Sequence, residues 1–290
     1  MFDVIIIGKG PAGISAGIYT SMASLKTLVI GKESTIEKAN SIKNYFGFAQ
    51  TINGVDLIKN GINQAKSVGC DILDDLVIKL EKKGDIFEIT TNSNVIYDTK
   101  AVLLATGNTR NIVNIENIEV FEGKGVSYCI ACDGFFFKNK KVAVLGNTNY
   151  TISEADELLN YTQNVYILTN GKPLEATVRS GIDVNTSKIK EIGGNHKLEY
   201  IMYEDGTKES FDGLFIAESY PKTSDFVQKL GIETKQNLIK INNEYMTNIS
   251  GLFAAGDLVN EFKQIATAVS SGAIAGKNII KYCKESKNIV

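Results

Sequence analysis

The chain has 290 residues, of which 43% are hydrophobic and 22% charged, and its formal net charge is −2. These values predict an ordinary globular protein of about two domains, and they argue against a nucleic-acid partner. No apolar run approaches the ~20 residues of a membrane span, and the N-terminus lacks the features of a signal peptide, so we expect a cytoplasmic protein without a membrane partner.

The first half of the chain opens with a βαβ pattern. An apolar strand over Val4–Ile7 is followed by a glycine turn, a helix over about 12–23 and a second strand over Thr27–Ile30. Alternating apolar and polar residues then predict a small antiparallel meander before one more apolar strand closes the half. These later segments cover 76–80, 86–91, 95–97 and 101–105.

The second half repeats this order from the strand Val142–Leu145 to a closing strand at 214–217. A further strand near Leu252 and a terminal helix over about 264–282 have no counterpart in the second half, so we expect them to complete the first domain. The predicted fold class is α/β, with two Rossmann-like, three-layer domains, the second inserted into the first. We predict two domains. Residues 1–112 and 245–290 together form the cofactor-binding domain, and residues 113–244 form the inserted domain.

A glycine-rich motif follows the first strand and opens the first helix. Residues 8–13 read G-K-G-P-A-G, which matches the G-x-G-x-x-G fingerprint of dinucleotide-binding loops. Glycines permit the tight turn and the approach of backbone to a pyrophosphate, which the helix N-terminus stabilises. A glycine turn without a ligand is the alternative, which the strand–turn–helix context disfavours. The predicted contacts are Gly8, Gly10, Pro11, Ala12 and Gly13.

Two acids extend this predicted site. Glu33, just past the second strand, is the candidate for binding a ribose hydroxyl, at a slightly long offset. Asp257 ends the strand near Leu252, and a helix begins shortly afterwards near Gln264 and Ile265. An acid there suits the polyol chain of a flavin, and a helix N-terminus suits the charge of a reduced isoalloxazine. We therefore predict FAD rather than NAD.

A cysteine pair supplies the second chemical signal. Cys129 and Cys132 form a C-x-x-C motif, which Asp133 follows directly. Two thiols at this spacing can close a small disulfide ring, and an adjacent carboxyl can carry the proton that each exchange step requires. Half of a zinc site and a pair of buried structural cysteines are the alternatives. Zinc is disfavoured because the remaining candidate ligands, Cys70, Cys283 and His196, are isolated in the sequence.

Together these segments resemble the low-molecular-weight thioredoxin reductases over essentially the whole chain. Residues 125–134, G-V-S-Y-C-I-A-C-D-G, closely resemble that family's active-site segment "GVSYCATCDG". Residues 44–48, N-Y-F-G-F, are similar to its "ENYPGF" segment. Residues 105–107 and the segment from 256 to 268 are similar to its second and C-terminal flavin motifs.

The resemblance implies roles for single residues. It adds Asn44, Thr106 and Gly107 to the flavin contacts. Cys132 would lie nearer the flavin, Cys129 would attack the disulfide of a protein substrate, thioredoxin, and Asp133 would be the general acid/base. The family also implies a homodimer.

The second Rossmann unit departs from the family pattern. The family has G-G-G-x-x-A after the strand, whereas residues 146–151 read G-N-T-N-Y-T. The arginine-rich segment that reads the 2′-phosphate of NADPH is replaced by residues 169–171, T-N-G, with Glu175 at the last arginine position. We therefore interpret 113–244 as a degenerate NAD(P)H-binding-like domain that carries the C-x-x-C motif, and we expect no NADPH.

This combination resembles the ferredoxin-dependent flavin thioredoxin reductases, and it implies reduced ferredoxin as the electron donor. A basic docking face is then expected, for which Lys138, Lys140 and Lys141 form the densest lysine group, although a solvated turn explains them equally well. Two alternatives stay open, namely an NAD(P)H-dependent thioredoxin reductase with an atypical nucleotide site, and a flavin-bearing redox sensor.

Overall fold

The computed structural model describes residues 1–107, 114–128, 130–218, 223–236 and 238–285, and for residues 131, 132, 223 and 224 it describes the backbone alone. The helices of these ranges are α1 (Pro11–Met22), α2 (Gly54–Ser67), α3 (Ile130–Asp133), α4 (Asn149–Leu158), α5 (Thr223–Leu230) and α6 (Ile265–Glu285). The strands are β1 (Phe2–Ile7), β2 (Thr27–Ile30), β3 (Asp71–Leu73), β4 (Val77–Lys83), β5 (Ile86–Thr91), β6 (Ile96–Leu104), β7 (Val126–Ser127), β8 (Val142–Leu145), β9 (Val165–Leu168), β10 (Asp183–Asn185), β11 (Ile189–Gly193), β12 (Tyr200–Tyr203), β13 (Lys208–Ser210), β14 (Gly213–Ile216), β15 (Thr234–Lys235), β16 (Leu238–Ile239) and β17 (Leu252–Ala254).

The chain folds into two compact units, the second inserted into the first. Unit 1 comprises Met1–Thr109 and Leu230–Val290, and unit 2 comprises Arg110–Lys229. The predicted fold class, α/β with two Rossmann-like domains, is confirmed, because each unit is built on a sheet of parallel strands.

The chain returns to unit 1 at Leu230, earlier than the predicted boundary at residue 245. The reason lies in hydrogen bonds between the residues after α5 and a later turn. The backbone N–H of Glu233 donates to Oδ1 of Asn248 at 3.0 Å, and Nδ2 of Asn248 donates to the carbonyl of Gly231 at 2.9 Å.

The sheet of unit 1 explains the apolar runs in the sequence. Strands β3, β2, β1 and β6 pair in parallel in that order, and β17 pairs with the end of β6. Residues Val4–Ile7 of β1 are almost completely buried, as expected of a central strand that is covered on both faces. β6 is one long strand rather than the two predicted segments, since Thr99 pairs with Phe87 of β5 and Ala101 pairs with Val4 of β1.

Helix α6 packs very closely against α1. A Cβ atom added to Gly272 would lie 2.1 Å from the carbonyl oxygen of Ala12, and one added to Gly276 would lie 3.1 Å from that of Ala16. Glycine at these positions therefore allows the two backbones to approach, which brings the C-terminal helix onto the start of α1.

Unit 2 has a five-stranded parallel sheet in the order β10-β9-β8-β14-β7, beside an antiparallel sheet of β11, β12 and β13. A buried ion-pair cluster joins α4 to α5. Lys229 donates to Glu154, which is 3% exposed, and to Glu157 at 3.1 Å. Among the described helices, none is both long and apolar enough to cross a membrane.

Candidate functional site

The glycine loop of unit 1 lies between the end of β1 and the start of α1. A Cβ atom on Gly8 would lie 2.2 Å from the carbonyl oxygen of Ala105, and one on Gly13 would lie 1.9 Å from that of Gly8. Gly10 is the N-cap of α1 and Pro11 its first residue, and no side chain of the described residues caps the helix. The first turn of α1 is therefore open towards the loop, as an anion-binding helix N-terminus requires.

The turn at Asp257 lies against this loop. β17 ends at Ala254, beside Leu104 of β6, and a Cβ atom on Gly256 would lie 3.1 Å from Cβ of Ala12. Burial raises the pKa of the Asp257 carboxyl, and nearby Lys263 partly opposes this effect. Asp257 is thus partly desolvated at the carboxyl end of the parallel strands, where ligands bind in this type of fold.

Two side chains that the sequence did not single out support this turn. The buried hydroxyl of Ser271 accepts a hydrogen bond from the backbone N–H of Gly256 at 2.9 Å. Nδ2 of Asn260 donates to the carbonyl of Gly256 at 3.0 Å. Small residues recur on one face of α6, at positions 268, 271, 272, 275 and 276, and this spacing was the available signal for a close helix contact.

The other predicted flavin contacts lie in three further parts of unit 1. Nδ2 of Asn44 donates to Oε1 of Gln264 at 2.8 Å, so the two segments are joined directly before α6 begins at Ile265. Thr106 and Gly107 follow β6, and Gly107 has a φ of 68°. Glu33 is exposed, three residues beyond the end of β2.

These observations test whether unit 1 suits FAD, the group that the sequence predicts. The loop positions Gly8 and Gly13 have no room for a side chain, the described residues place no side-chain cap on the first turn of α1, and the turn that carries the half-buried Asp257 lies against Ala12. An open helix N-terminus suits a pyrophosphate, and a carboxylate that accepts hydrogen bonds suits a polyol. The residues present therefore fit FAD.

The cysteine pair is only partly described. Cys129 lies outside the described residues, and Cys132 lies on α3 with its backbone alone described. Asp133 ends α3, and its Oδ2 accepts a hydrogen bond from the hydroxyl of Ser127 at 2.7 Å. Ser127 is 6% exposed on β7, and its hydrogen bond positions the carboxyl that the sequence predicts as general acid/base.

A tyrosine precedes the cysteine pair. The hydroxyl of Tyr128 donates to Oε1 of Glu122 at 2.6 Å. Burial raises the pKa of Tyr128, and the nearby carboxylate of Glu122 raises it further. The phenol therefore stays protonated as a hydrogen-bond donor, and it is a fixed neighbour rather than a proton carrier.

The corresponding loop of unit 2 is closed by its own side chains. The backbone N–H of Thr148, the N-cap of α4, donates to Oγ1 of Thr151 at 3.1 Å, and the two residues form a capping box. Oγ1 of Thr151 also donates to the carbonyl of Ala217 at 3.0 Å. The start of α4 is thus bound internally through its capping box, and the described residues form no such capping box at the start of α1.

A second segment lies against the same loop. The backbone N–H of Glu175 donates to the carbonyl of Asn147 at 2.8 Å, and Nδ2 of Asn147 donates to the carbonyl of Pro173 at 3.0 Å. Thr169 is 1% exposed and donates to the carbonyl of Lys172. The positions at which the family reads the 2′-phosphate are therefore occupied by turn residues bound to their own unit.

Two of the three lysines proposed as a docking face have contacts within unit 2. Lys141 pairs with Glu209 at 2.7 Å, and its ammonium lies 4.6 Å from the ring centre of Phe211. The ammonium of Lys140 lies 5.5 Å from the ring centre of Phe137. These contacts favour the alternative interpretation, a solvated turn, over a docking face.

The remaining cysteines lie in the core of unit 1. Cys70 is 4% exposed and Cys283 is fully buried, and both are free thiols. Burial raises the pKa of the Cys70 thiol. Within the described ranges, no group of three or more His, Cys, Asp or Glu side chains could hold a metal ion.

The chain is similar to known proteins over almost its whole length. A profile of the family "Pyridine nucleotide-disulphide oxidoreductase" matches residues 2–272. A thioredoxin reductase from Listeria monocytogenes is 34% identical, over 99% of this chain and 95% of the relative. The crystal structure of an atypical thioredoxin reductase from Desulfovibrio vulgaris Hildenborough is 41% identical, with a TM-score of 0.89, over 98% of this chain and 99% of the other. A ferredoxin-flavin thioredoxin reductase from Clostridium acetobutylicum is 28% identical, with a TM-score of 0.68, over 98% of both chains.

Proposed function

The chain belongs to the pyridine nucleotide-disulphide oxidoreductases and, within them, to the thioredoxin reductase flavoenzymes; we propose that it reduces the disulfide of thioredoxin with electrons from reduced ferredoxin. The observation that carries the choice of donor is the internally capped start of α4, at the place where a nicotinamide dinucleotide needs an open one. A solved relative named as a ferredoxin-flavin thioredoxin reductase has the same fold over nearly its whole length.

In this proposal the residues of unit 1 hold FAD. The loop from Gly8 to Gly13 and the first turn of α1 bind the pyrophosphate, Asp257 binds the polyol, and Glu33 binds the adenosine ribose. Asn44, Thr106, Gly107, Gln264 and Ile265 are the further predicted contacts. When bound, FAD supplies the ability to accept electrons singly and to deliver them as a pair.

Unit 2 holds the reactive cysteines. The Cys129–Cys132 pair takes up two electrons and exchanges them with the disulfide of thioredoxin, with Cys129 as the attacking thiolate. Asp133, oriented by Ser127, carries the proton of each exchange step. Two reduced ferredoxins, each oxidised by one electron, balance one substrate disulfide, which takes up two electrons and two protons.

Energetics separate this proposal from a nicotinamide-dependent enzyme. A charge-assisted hydrogen bond to phosphate contributes about 1.5–3 kcal/mol, so the loss of two or three lowers affinity by several orders of magnitude. Nη1 of Arg179 lies 3.8 Å from Oδ1 of Asp156, and Glu175, at the last arginine position of the family pattern, is negatively charged where a phosphate would need a positive charge. NADH lacks the 2′-phosphate, yet its pyrophosphate needs free backbone N–H groups at the start of a helix, and at the start of α4 the N–H of Thr148 already donates to Oγ1 of Thr151.

The decisive experiment compares donors under anaerobic conditions. Oxidised enzyme is mixed in turn with NADPH, NADH and a chemically reduced bacterial [4Fe–4S] ferredoxin, and flavin absorbance is followed. We expect rapid bleaching by ferredoxin alone. Rapid bleaching by either nicotinamide at micromolar concentration would contradict the proposal, because it would show that unit 2 still admits a nicotinamide dinucleotide.

A second experiment separates an enzyme from a redox sensor. With ferredoxin as donor, the protein should reduce many equivalents of thioredoxin, whereas a sensor would stop after one. Cys129→Ser should keep flavin reduction and lose thioredoxin reduction. Full activity of this variant would remove Cys129 from the mechanism.

The proposal carries two further expectations. A dithiol enzyme that keeps thioredoxin reduced belongs in the cytoplasm, where disulfides are scarce. The resemblance to the family implies a homodimer, which stays a prediction that sedimentation analysis of the purified protein will test.

A further inference from the structure

Unit 1 exposes aromatic side chains on two segments beside its predicted flavin contacts. Phe46 is 98% exposed, Phe262 70% and Phe48 43%. Tyr45 lies in the same segment, with its ring centre 6.1 Å from that of Phe48. We call these four side chains, together with Lys43 and Lys263, the aromatic face. Burying such rings is favourable, and exposed aromatic patches of this kind are typical of interaction sites.

The aromatic face is held in place by hydrogen bonds. Ile42 and Ile52 pair across the base of the loop that carries three of the rings, with the N–H of Ile42 donating to the carbonyl of Ile52 at 2.8 Å. The carbonyl of Phe262 accepts a hydrogen bond from Oγ1 of Thr267 at 2.7 Å. The rings are therefore presented from anchored backbone, which lowers the entropy lost on binding.

A hydrogen bond beside the predicted flavin contacts joins the loop between Ile42 and Ile52 to the segment that carries Phe262. The hydrogen bond from Asn44 to Gln264, at 2.8 Å, connects two residues that are predicted flavin contacts. Phe46 and Phe262 each lie two positions from one of these residues. The aromatic face therefore borders the predicted flavin site.

The charges on this face favour an acidic partner. Lys43 and Lys263 are exposed, and neither forms an ion pair with any residue that the structure describes. Glu261 directly precedes Phe262 in the sequence, and the carboxyl of Asp257 interacts electrostatically with Lys263. By contrast, Lys141 of unit 2 is already paired with Glu209. Exposed lysines around apolar rings suit an acidic protein surface with an apolar centre.

We propose that the aromatic face is the docking surface for the electron donor, an acidic iron–sulfur protein of the ferredoxin type. This inference rests on the proposed function and adds to it the surface through which electrons enter. Electron transfer between proteins falls steeply with distance, so a donor has to dock beside the flavin. Each docking event delivers one electron, and two reduced ferredoxins are oxidised for each disulfide that is reduced.

The test measures the second-order rate of anaerobic flavin reduction by a reduced bacterial [4Fe–4S] ferredoxin. We expect Phe46→Ser combined with Phe262→Ser, and separately Lys43→Glu combined with Lys263→Glu, to slow this rate about tenfold or more. The charge-reversed variant should also lose the salt dependence of the rate. Its matched control is Lys59→Glu combined with Lys66→Glu, two exposed lysines on α2, which should keep the rate of the unchanged protein.

Further readouts separate the possible outcomes. Each variant should keep its FAD content and its rate of direct reduction by dithionite, which excludes a folding defect. If ferredoxin reduces the unchanged protein and all variants equally fast, the docking surface is wrong and the proposed function stands. If no ferredoxin reduces the unchanged protein, both are wrong. If the aromatic substitutions instead lower the sedimentation mass, the face belongs to a second copy of the chain and the docking proposal is overturned.

Discussion

The hydroxyl of Thr151 offers a direct test of the closed loop in unit 2. Oγ1 accepts from the N–H of Thr148 and donates to the carbonyl of Ala217, and all three residues are at most 4% exposed. Thr151→Val keeps the shape and removes both hydrogen bonds. A buried polar group left without a partner costs about 1–3 kcal/mol. Thr151→Val leaves two such groups, the N–H of Thr148 and the carbonyl of Ala217. Because the substitution also removes the buried hydroxyl itself, part of this cost is offset. We expect the free energy of unfolding of unit 2 to fall by about 2–4 kcal/mol.

Urea denaturation and amide hydrogen exchange measure this loss. The amide of Thr148 should exchange much faster in Thr151→Val, whereas Thr151→Ser keeps the hydroxyl and should recover most of the stability. Thr186→Val is the matched control, because Thr186 is exposed and its side chain has no hydrogen bond within the described residues. If Thr151→Val matches the unchanged protein in both measurements, the start of α4 is not held by its own side chains, and the argument against a nicotinamide donor loses its main support.

Three further predictions concern the glycine loop, a buried acid and the thiols. Gly13→Ala places a methyl group 1.9 Å from the carbonyl oxygen of Gly8, so the purified variant should lose most of its FAD, measured by flavin absorbance; full retention would contradict the fit. Burial raises the pKa of Glu154 from 4.5 to about 7, so the folded state holds a proton more tightly and stability falls as pH rises through that window; Glu154→Gln should flatten this part of the pH–stability curve. Cys70 and Cys283 should resist iodoacetamide in the folded protein, and rapid labelling of either, located by mass spectrometry, would show that its burial is wrong.

The first Rossmann unit was largely readable from the sequence. The apolar run Val4–Ile7 and the glycine motif predicted β1, the turn and α1, because a buried parallel strand and a phosphate loop each restrict several neighbouring residues. α2 was missed, since its predominantly polar sequence over Gly54–Ser67 lacks a continuous apolar run. Its N-cap, Asn53, which accepts from the N–H of Asp56, was the available signal.

The candidate site was harder to predict, because its contacts join distant parts of the chain. The sequence identified Asn44 and Gln264 separately, but not the hydrogen bond between their side chains. It also indicated that Thr148 and Thr151 replace residues of the family pattern, without indicating that they bind each other. A capping box is usually recognised by Glu or Gln at its fourth position, so a threonine there gives little warning.

The close packing of α6 on α1 has a consequence for biosynthesis. β17 pairs with β6, and Gly272 packs against Ala12. The predicted FAD site is therefore built from the N-terminal and C-terminal parts of unit 1, which all of unit 2 separates in the sequence. During synthesis the N-terminal strands leave the ribosome long before α6 exists, while every residue of unit 2 is already available. We therefore expect unit 2 to fold first on the ribosome, and flavin to be captured only when the last helix emerges.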